Sequence, residues 1–132
     1  MGRKKARDNT FKCVYQLEFD NRDIDRILKF CYEENESNDD EKEYIDTVLK
    51  GVVNNLKDID SIILSKLKNW TIQRIAKIDL AILRLAIYEI KYMDNIPPKV
   101  SVNEAVELAK MYGNSDSKSF INGLLAKVIE DN

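Results

Sequence analysis

The sequence predicts an all-α fold: a packed bundle of six to seven helices, in two small layers that meet at a central apolar helix. Three observations carry that prediction. The stretch Trp70–Met93, WTIQRIAKIDLAILRLAIYEIKYM, is apolar around most of a helical circumference and holds no internal Gly or Pro. On both sides of it, apolar residues recur at steps of three and four, the helical period. No alternating strand pattern, internal repeat or low-complexity run stands out.

Within the central stretch, Gln73, Lys77, Arg84 and Lys91 fall at spacings of four, seven and seven. At roughly 100° per residue they make one narrow polar stripe. A helix that is apolar over the rest of its surface is surrounded by other elements. Asp79 can cap a helix that begins there. The length fits one long helix or, with that cap, a short turn followed by a helix over about 79–93; either way the segment is the core of the domain.

Residues 3 to about 19 form the first helix. Ala6, Thr10, Cys13, Val14 and Leu17 share its inward face. Lys4, Asp8, Phe11 and Tyr15 run along the opposite face, with Lys5 and Lys12 beside them. Two readings of that face stand open. Rings among lysines suit single-stranded nucleic acid, because bases stack on rings and ammonium groups meet phosphates. Alternatively, Phe11 and Tyr15 pack under a second helical layer and the charges are solvated.

A short helix over about 23–32 turns Ile24, Ile27, Leu28 and Cys31 inward. The acidic connector Glu33–Asp40 lacks the Gly-centred alternation of a calcium loop and reads as solvated. Asn38 with Glu41 can cap the next helix, whose Tyr44, Ile45, Val48, Leu49, Val52, Val53 and Leu56 share one face. Asp58 starts a further short helix that buries Ile59, Ile62, Ile63 and Leu67. Pro97 and Pro98 end the central helix. Ser101 and Glu104 form an S-x-x-E capping box for a helix carrying Val102, Ala105, Val106, Leu108 and Ala109. That helix stops at Gly113, read as a left-handed cap. The last helix runs from about Ser117 to Glu130, with Ile121, Leu124, Leu125 and Val128 inward and Phe120 at the border of that face.

Composition narrows the function. The chain has 132 residues, 44% hydrophobic and 33% charged, which suits one globular domain, residues 1–132. No uninterrupted apolar run is long enough to span a bilayer, and no apolar signal core follows the basic N-terminus. The expected location is cytoplasmic, and Cys13 and Cys31 are expected to be reduced core thiols. There is no histidine, which removes the commonest general base. No Gly-rich phosphate loop and no metal-ligand cluster is present, so no cofactor and no metal is expected. Arg3, Lys4, Lys5 and Arg7 make a basic tip, whereas seven carboxylates and one lysine lie between Glu33 and Glu43. These are distinct surfaces.

Three segments together resemble the NusB family of bacterial transcription antitermination factors. The first is Arg3-Lys-Lys-Ala-Arg-Asp with the downstream Val14-Tyr-Gln. The second is Ile78-Asp-Leu-Ala-Ile-Leu-Arg-Leu-Ala-Ile-Tyr-Glu-Ile. The third is Pro98-Lys-Val-Ser-Val-Asn-Glu-Ala-Val-Glu-Leu-Ala-Lys-Met-Tyr-Gly, followed by Asp116-Ser-Lys-Ser-Phe-Ile-Asn-Gly-Leu-Leu. The resemblance implies two three-helix groups. It implies binding of the boxA element of nascent ribosomal RNA transcripts as a single strand, together with the ribosomal protein NusE, in the antitermination complex of RNA polymerase. It also implies that the free protein can be a homodimer.

Carried onto matching positions, the resemblance selects Arg3, Lys4, Lys5 and Arg7 for phosphates. It places the Tyr15 ring on the RNA side and adds Asp116, Lys118 and Phe120 near the last helix. Two lysines stand in the basic opening where the family often has arginine, and lysine supplies a point charge rather than a planar fork. Asn9 and Thr10 replace small apolar residues, and residues 21–57 match weakly. A related fold, the N-terminal RNA-binding part of certain ribosomal RNA cytosine methyltransferases, would need a large catalytic domain after Asn132.

Three functions compete. A non-enzymatic RNA-binding adaptor leads. A helical protein-binding module would use the acidic connector and the Lys77–Arg84–Lys91 stripe, with the basic tip as a disordered tail. An enzyme would use paired carboxylates such as Glu104 and Glu107, although exposed carboxylates one turn apart are usually solvated and Glu104 already has a capping role.

Overall fold

A computed structural model describes residues 2–19, 23–34, 38–68 and 70–131, with the backbone only at 2, 3, 33 and 34. Among them are seven α-helices: α1 (Gly2–Gln16), α2 (Ile24–Glu34), α3 (Asp39–Asn54), α4 (Leu56–Ser65), α5 (Lys77–Tyr92), α6 (Pro98–Tyr112) and α7 (Ser117–Glu130). A single 3₁₀ turn, Ile72–Arg74, precedes α5. Helices α1, α2 and α3 pack on one another, as do α5, α6 and α7. Helix α5 joins the two groups, because it also packs on α1, α3 and α4. No described helix is long and apolar enough to cross a membrane.

The inward faces follow the periodicity. Ala6, Thr10, Cys13, Val14 and Leu17 are all buried on α1, and Ile121, Leu124, Leu125 and Val128 on α7. Every residue of α5 from Asp79 to Ile90 is buried. Its Ile82, Leu83 and Ile87 are fully enclosed, and side chains of this size stabilise by about 1.5–3 kcal/mol each. Thr10 satisfies its hydroxyl by donating to the Ala6 carbonyl at 2.7 Å, which is how a polar residue is tolerated there.

Local signals met different fates. The Asn38–Glu41 box forms in full: the Glu41 amide donates to Asn38 Oδ1 at 2.8 Å, and the Asn38 amide donates to Glu41 Oε1 at 2.9 Å. The rest of the expected acidic connector, residues 33–37, lies outside the described side chains. Asp79 does not cap α5; Ala76 holds the N-cap position, and Asp79 is buried within the first turn. Ser101 and Glu104 form no capping box, because α6 starts a turn earlier, with Pro97 at the N-cap and Pro98 as first residue, where a missing N–H costs nothing. Gly113 is extended, with φ −88° and ψ −175°, rather than left-handed. Glycine is needed there for space: a Cβ would lie 2.9 Å from the Ala109 carbonyl oxygen.

Two further expectations change with long-range packing. Arg84 belongs to no solvent-facing stripe. It is buried, bonds Asp60 of α4 through Nε at 3.0 Å and Nη2 at 2.9 Å, and pairs with Glu18 beyond the end of α1. Cys13 and Cys31 are joined in a disulfide rather than reduced, with Cα atoms 6.5 Å apart. Their apolar phase turns both toward the α1–α2 contact, inside the roughly 4.4–6.8 Å reach of such a bond.

Candidate nucleic-acid interface

The basic tip is the first turn and a half of α1, not a disordered tail. Its cations divide by helical phase. Lys4 and Lys5 are exposed, and the Arg3 side chain lies outside the described set. Arg7 falls beside Ala6, Thr10 and Val14 and is only 6% exposed. Its Nε donates to Glu89 Oε2 of α5 at 2.8 Å. Arg7, expected at a phosphate, thus binds Glu89 through Nε inside the molecule, while it also lines the groove that Lys4 and Lys5 border.

Glu89 is the hub of that interior cluster. It is 1% exposed and accepts from Arg7 of α1, from the Tyr44 hydroxyl of α3, and from Ser101 Oγ of α6 at 2.7 Å. Burial works against the Arg7 charge, but the hydrogen bond and the attraction of Glu89 outweigh it and raise the pKa above its ordinary value. A buried ion pair persists when further hydrogen bonds satisfy it, and Tyr44 and Ser101 supply those. Ser101 thus has a partner twelve residues back instead of a cap. Neither residue was legible as part of this cluster, because its members come from four helices.

Beside the tip, α1 and α6 enclose an open groove of about 420 Å³ lined by Lys4, Lys5, Asp8, Glu104, Met111 and Tyr112 among others. Lys4 Nζ lies 3.5 Å from Glu104 Oε1, with side chains 64% and 26% exposed. Such a pair contributes about 0–1 kcal/mol. Glu107 pairs with Lys110 at 3.1 Å; both carboxylates proposed as a catalytic pair sit in surface ion pairs.

The rings of α1 also divide. Phe11 is buried, with its ring stacked 5.0 Å from that of Tyr112. Of the two readings of this face, packing under a second helical layer is the one that holds for Phe11. Tyr15 is half-buried and keeps a face outside the core cluster against which it packs. The Tyr112 hydroxyl donates to Asp8 Oδ1 at 2.6 Å, and Lys12 Nζ pairs with Asp8 Oδ2 at 3.1 Å. Burial and the Asp8 bond raise the Tyr112 pKa, and the Asp8 bond raises that of Lys12.

This contact fixes the end of α6 on α1 and thereby the start of the 113–116 loop. The loop is held by the Asn114 amide donating to Ser117 Oγ at 3.0 Å and the Asp116 amide donating to Asn114 Oδ1 at 2.8 Å. Asp116 and Lys118 are exposed, and Asp116 makes no side-chain cap bond. Phe120 is half-buried and packs on the core. Residues the sequence did not mark, Asp8 and Tyr112, bring the loop and α1 together. Among the described residues no group of His, Cys, Asp or Glu is arranged to hold a metal ion.

Two helical groups clasped by one central helix, with lysines and a ring on the outer face of α1, define an all-α protein of the two-group helical class. The chain belongs to the NusB family, whose sequence profile matches residues 4–130. A transcription antitermination protein NusB of Ruminiclostridium cellulolyticum is 47% identical over 128 residues, spanning 97% of this chain and 88% of the relative. T. maritima NusB superposes with a TM-score of 0.92 at 34% identity, over 98% of this chain and 92% of that one. The same fold occurs in a crystal structure of antitermination factors NusB and NusE in complex with dsRNA, with a TM-score of 0.91 at 28% identity, over 99% and 98% of the two chains.

Proposed function

We propose that this protein is a non-catalytic antitermination factor that binds the boxA element of nascent ribosomal RNA jointly with NusE, in the cytoplasmic complex of RNA polymerase, and does so as one domain over residues 1–132. The observation that carries the reading is the outward set on α1: exposed Lys4 and Lys5, with a partly buried Tyr15 further along the same helix. Ammonium groups attract the strand, and an unpaired base then stacks on the ring. Arg3, Asp116, Lys118 and Phe120 complete the surface by resemblance. The NusB–NusE–dsRNA complex supports both partners, although its RNA is double-stranded. A homodimer of the free protein would cover this same face.

The test is a gel-shift titration of the full chain, with and without NusE. It compares a boxA-like single strand, a scrambled strand and the boxA duplex. The single strand should bind tightest, and NusE should strengthen it. Equal binding of the scrambled strand, or preference for the duplex, overturns the assignment.

A further inference from the structure

The rings along α1 do not end at Tyr15. Three i→i+3 bonds, from the amides of Leu17, Glu18 and Phe19 to the carbonyls of Val14, Tyr15 and Gln16, carry the chain one tight turn beyond the helix. That turn sets the Phe19 ring 5.1 Å from Tyr15, edge to face. Tyr15 in turn lies 6.4 Å from Phe11, which stacks on Tyr112. The four rings form a continuous row. Its inner end lies in the α1–α6 contact, where Phe11 is buried, and its outer end stands in solvent, with Phe19 53% exposed.

A cation accompanies this outer end. Glu18, the residue beside Phe19, is bonded to buried Arg84, and Lys77 Nζ lies 3.9 Å from its other oxygen. Arg84 is shared between Glu18 and Asp60, and Lys77, with its side chain 58% exposed, adds a second cation beside Glu18 at the surface. The Lys77 ammonium group thus lies at the carboxylate of the residue next to Phe19, and Lys12 lies over the Tyr112 ring at the other end of the row. A large exposed ring is ordinary in isolation. Here it prolongs a row whose preceding member is assigned to RNA.

We propose that Phe19 and Lys77 form a second stacking station that takes one further unpaired nucleotide, the base on the Phe19 ring and its phosphate at Lys77. This rests on the reading of the α1 face as the RNA surface. It adds a residue which that reading does not include, at the opposite end of α1 from the basic tip.

The experiment measures affinity for a boxA-like single strand and for the same strand lengthened by three uridines at its 5′ or its 3′ end. The wild-type chain should gain affinity from one of the two extensions. Phe19→Ala should lose about tenfold on that extended strand, the weight of one stacked base, and nothing on the core strand. Phe19→Tyr should keep the gain. Lys77→Ala should lower the salt slope on the extended strand by about 0.7. Unchanged affinity of Phe19→Ala on both extensions overturns the proposal. So does an equal loss with Phe30→Ala, which removes a comparably exposed ring from α2, or a loss of NusE binding in place of RNA binding. Failure of the wild-type chain to bind the core strand sinks the RNA reading itself, whereas core binding without a Phe19 effect sinks this station alone.

Discussion

Arg7 and Lys4 sit one turn apart on α1, and each faces a carboxylate, yet the two pairs belong to different worlds. The Arg7–Glu89 pair is 2.8 Å long with side chains 8% and 1% exposed. The Lys4–Glu104 pair is 3.5 Å long with side chains 64% and 26% exposed. Removing one partner of a buried pair strands the other charge in a poor solvent. Removing one partner of an exposed pair hands the other to water. A basic run in sequence is thus no single surface. Its helical phase decides which cation holds the fold and which meets a ligand.

The comparison breaks most directly at Arg7. Arg7→Ala should cost about 3–5 kcal/mol of stability, read as a fall in the denaturant midpoint. A cost under about 1 kcal/mol would mean that Glu89 is satisfied without it. Tyr15→Ala should weaken boxA binding by about 1–3 kcal/mol, the weight of one stacked base, with some loss of stability from the lost core and ring contacts, so affinity is read where the variant is folded.

Lys4→Ala with Lys5→Ala should leave stability alone. Their expected effect is to flatten the plot of log affinity against log salt by about 0.7 for each phosphate the variant no longer neutralises. An unaltered slope would remove both residues from the RNA surface. The smallest effect concerns pH. Tyr112 and Lys12 hold their protons more tightly in the folded chain than at the ordinary 10.0 and 10.5. The unfolded chain therefore loses protons first, and stability should decline as pH rises past about 10. Asp8→Asn should shrink that decline in denaturation curves taken across this range.

What the sequence disclosed was local. The period of three and four identified the inward residues of α1 and α7, and the Asn38–Glu41 spacing identified a cap whose bonds close within one turn. Arg7 was grouped with the basic tip by resemblance, and its pairing with Glu89 was not legible, although position 7 lies on the face of Ala6, Thr10 and Val14. Its partner lies 82 residues away, and no spacing rule links them. Ser101 resembles a cap by motif, but a buried carboxylate on α5 claims its hydroxyl. Phe11 and Tyr15 share a stripe, and only the arrival of Tyr112 from α6 decides which is covered. Phe19 was within reach of the same stripe argument, at four residues past Tyr15, but it lies just beyond the helix where periodicity stops being a guide.

The central claim is that α1 separates support from recognition between neighbouring cations. The most direct measurement takes Arg7→Ala and the Lys4→Ala, Lys5→Ala double variant through the same two assays, denaturant stability and boxA affinity at a temperature where each is folded. The account predicts a crossover, with Arg7→Ala much less stable but near wild type in affinity, and the lysine variant stable but weak in binding. Loss of RNA affinity by a stable, folded Arg7→Ala chain would contradict it.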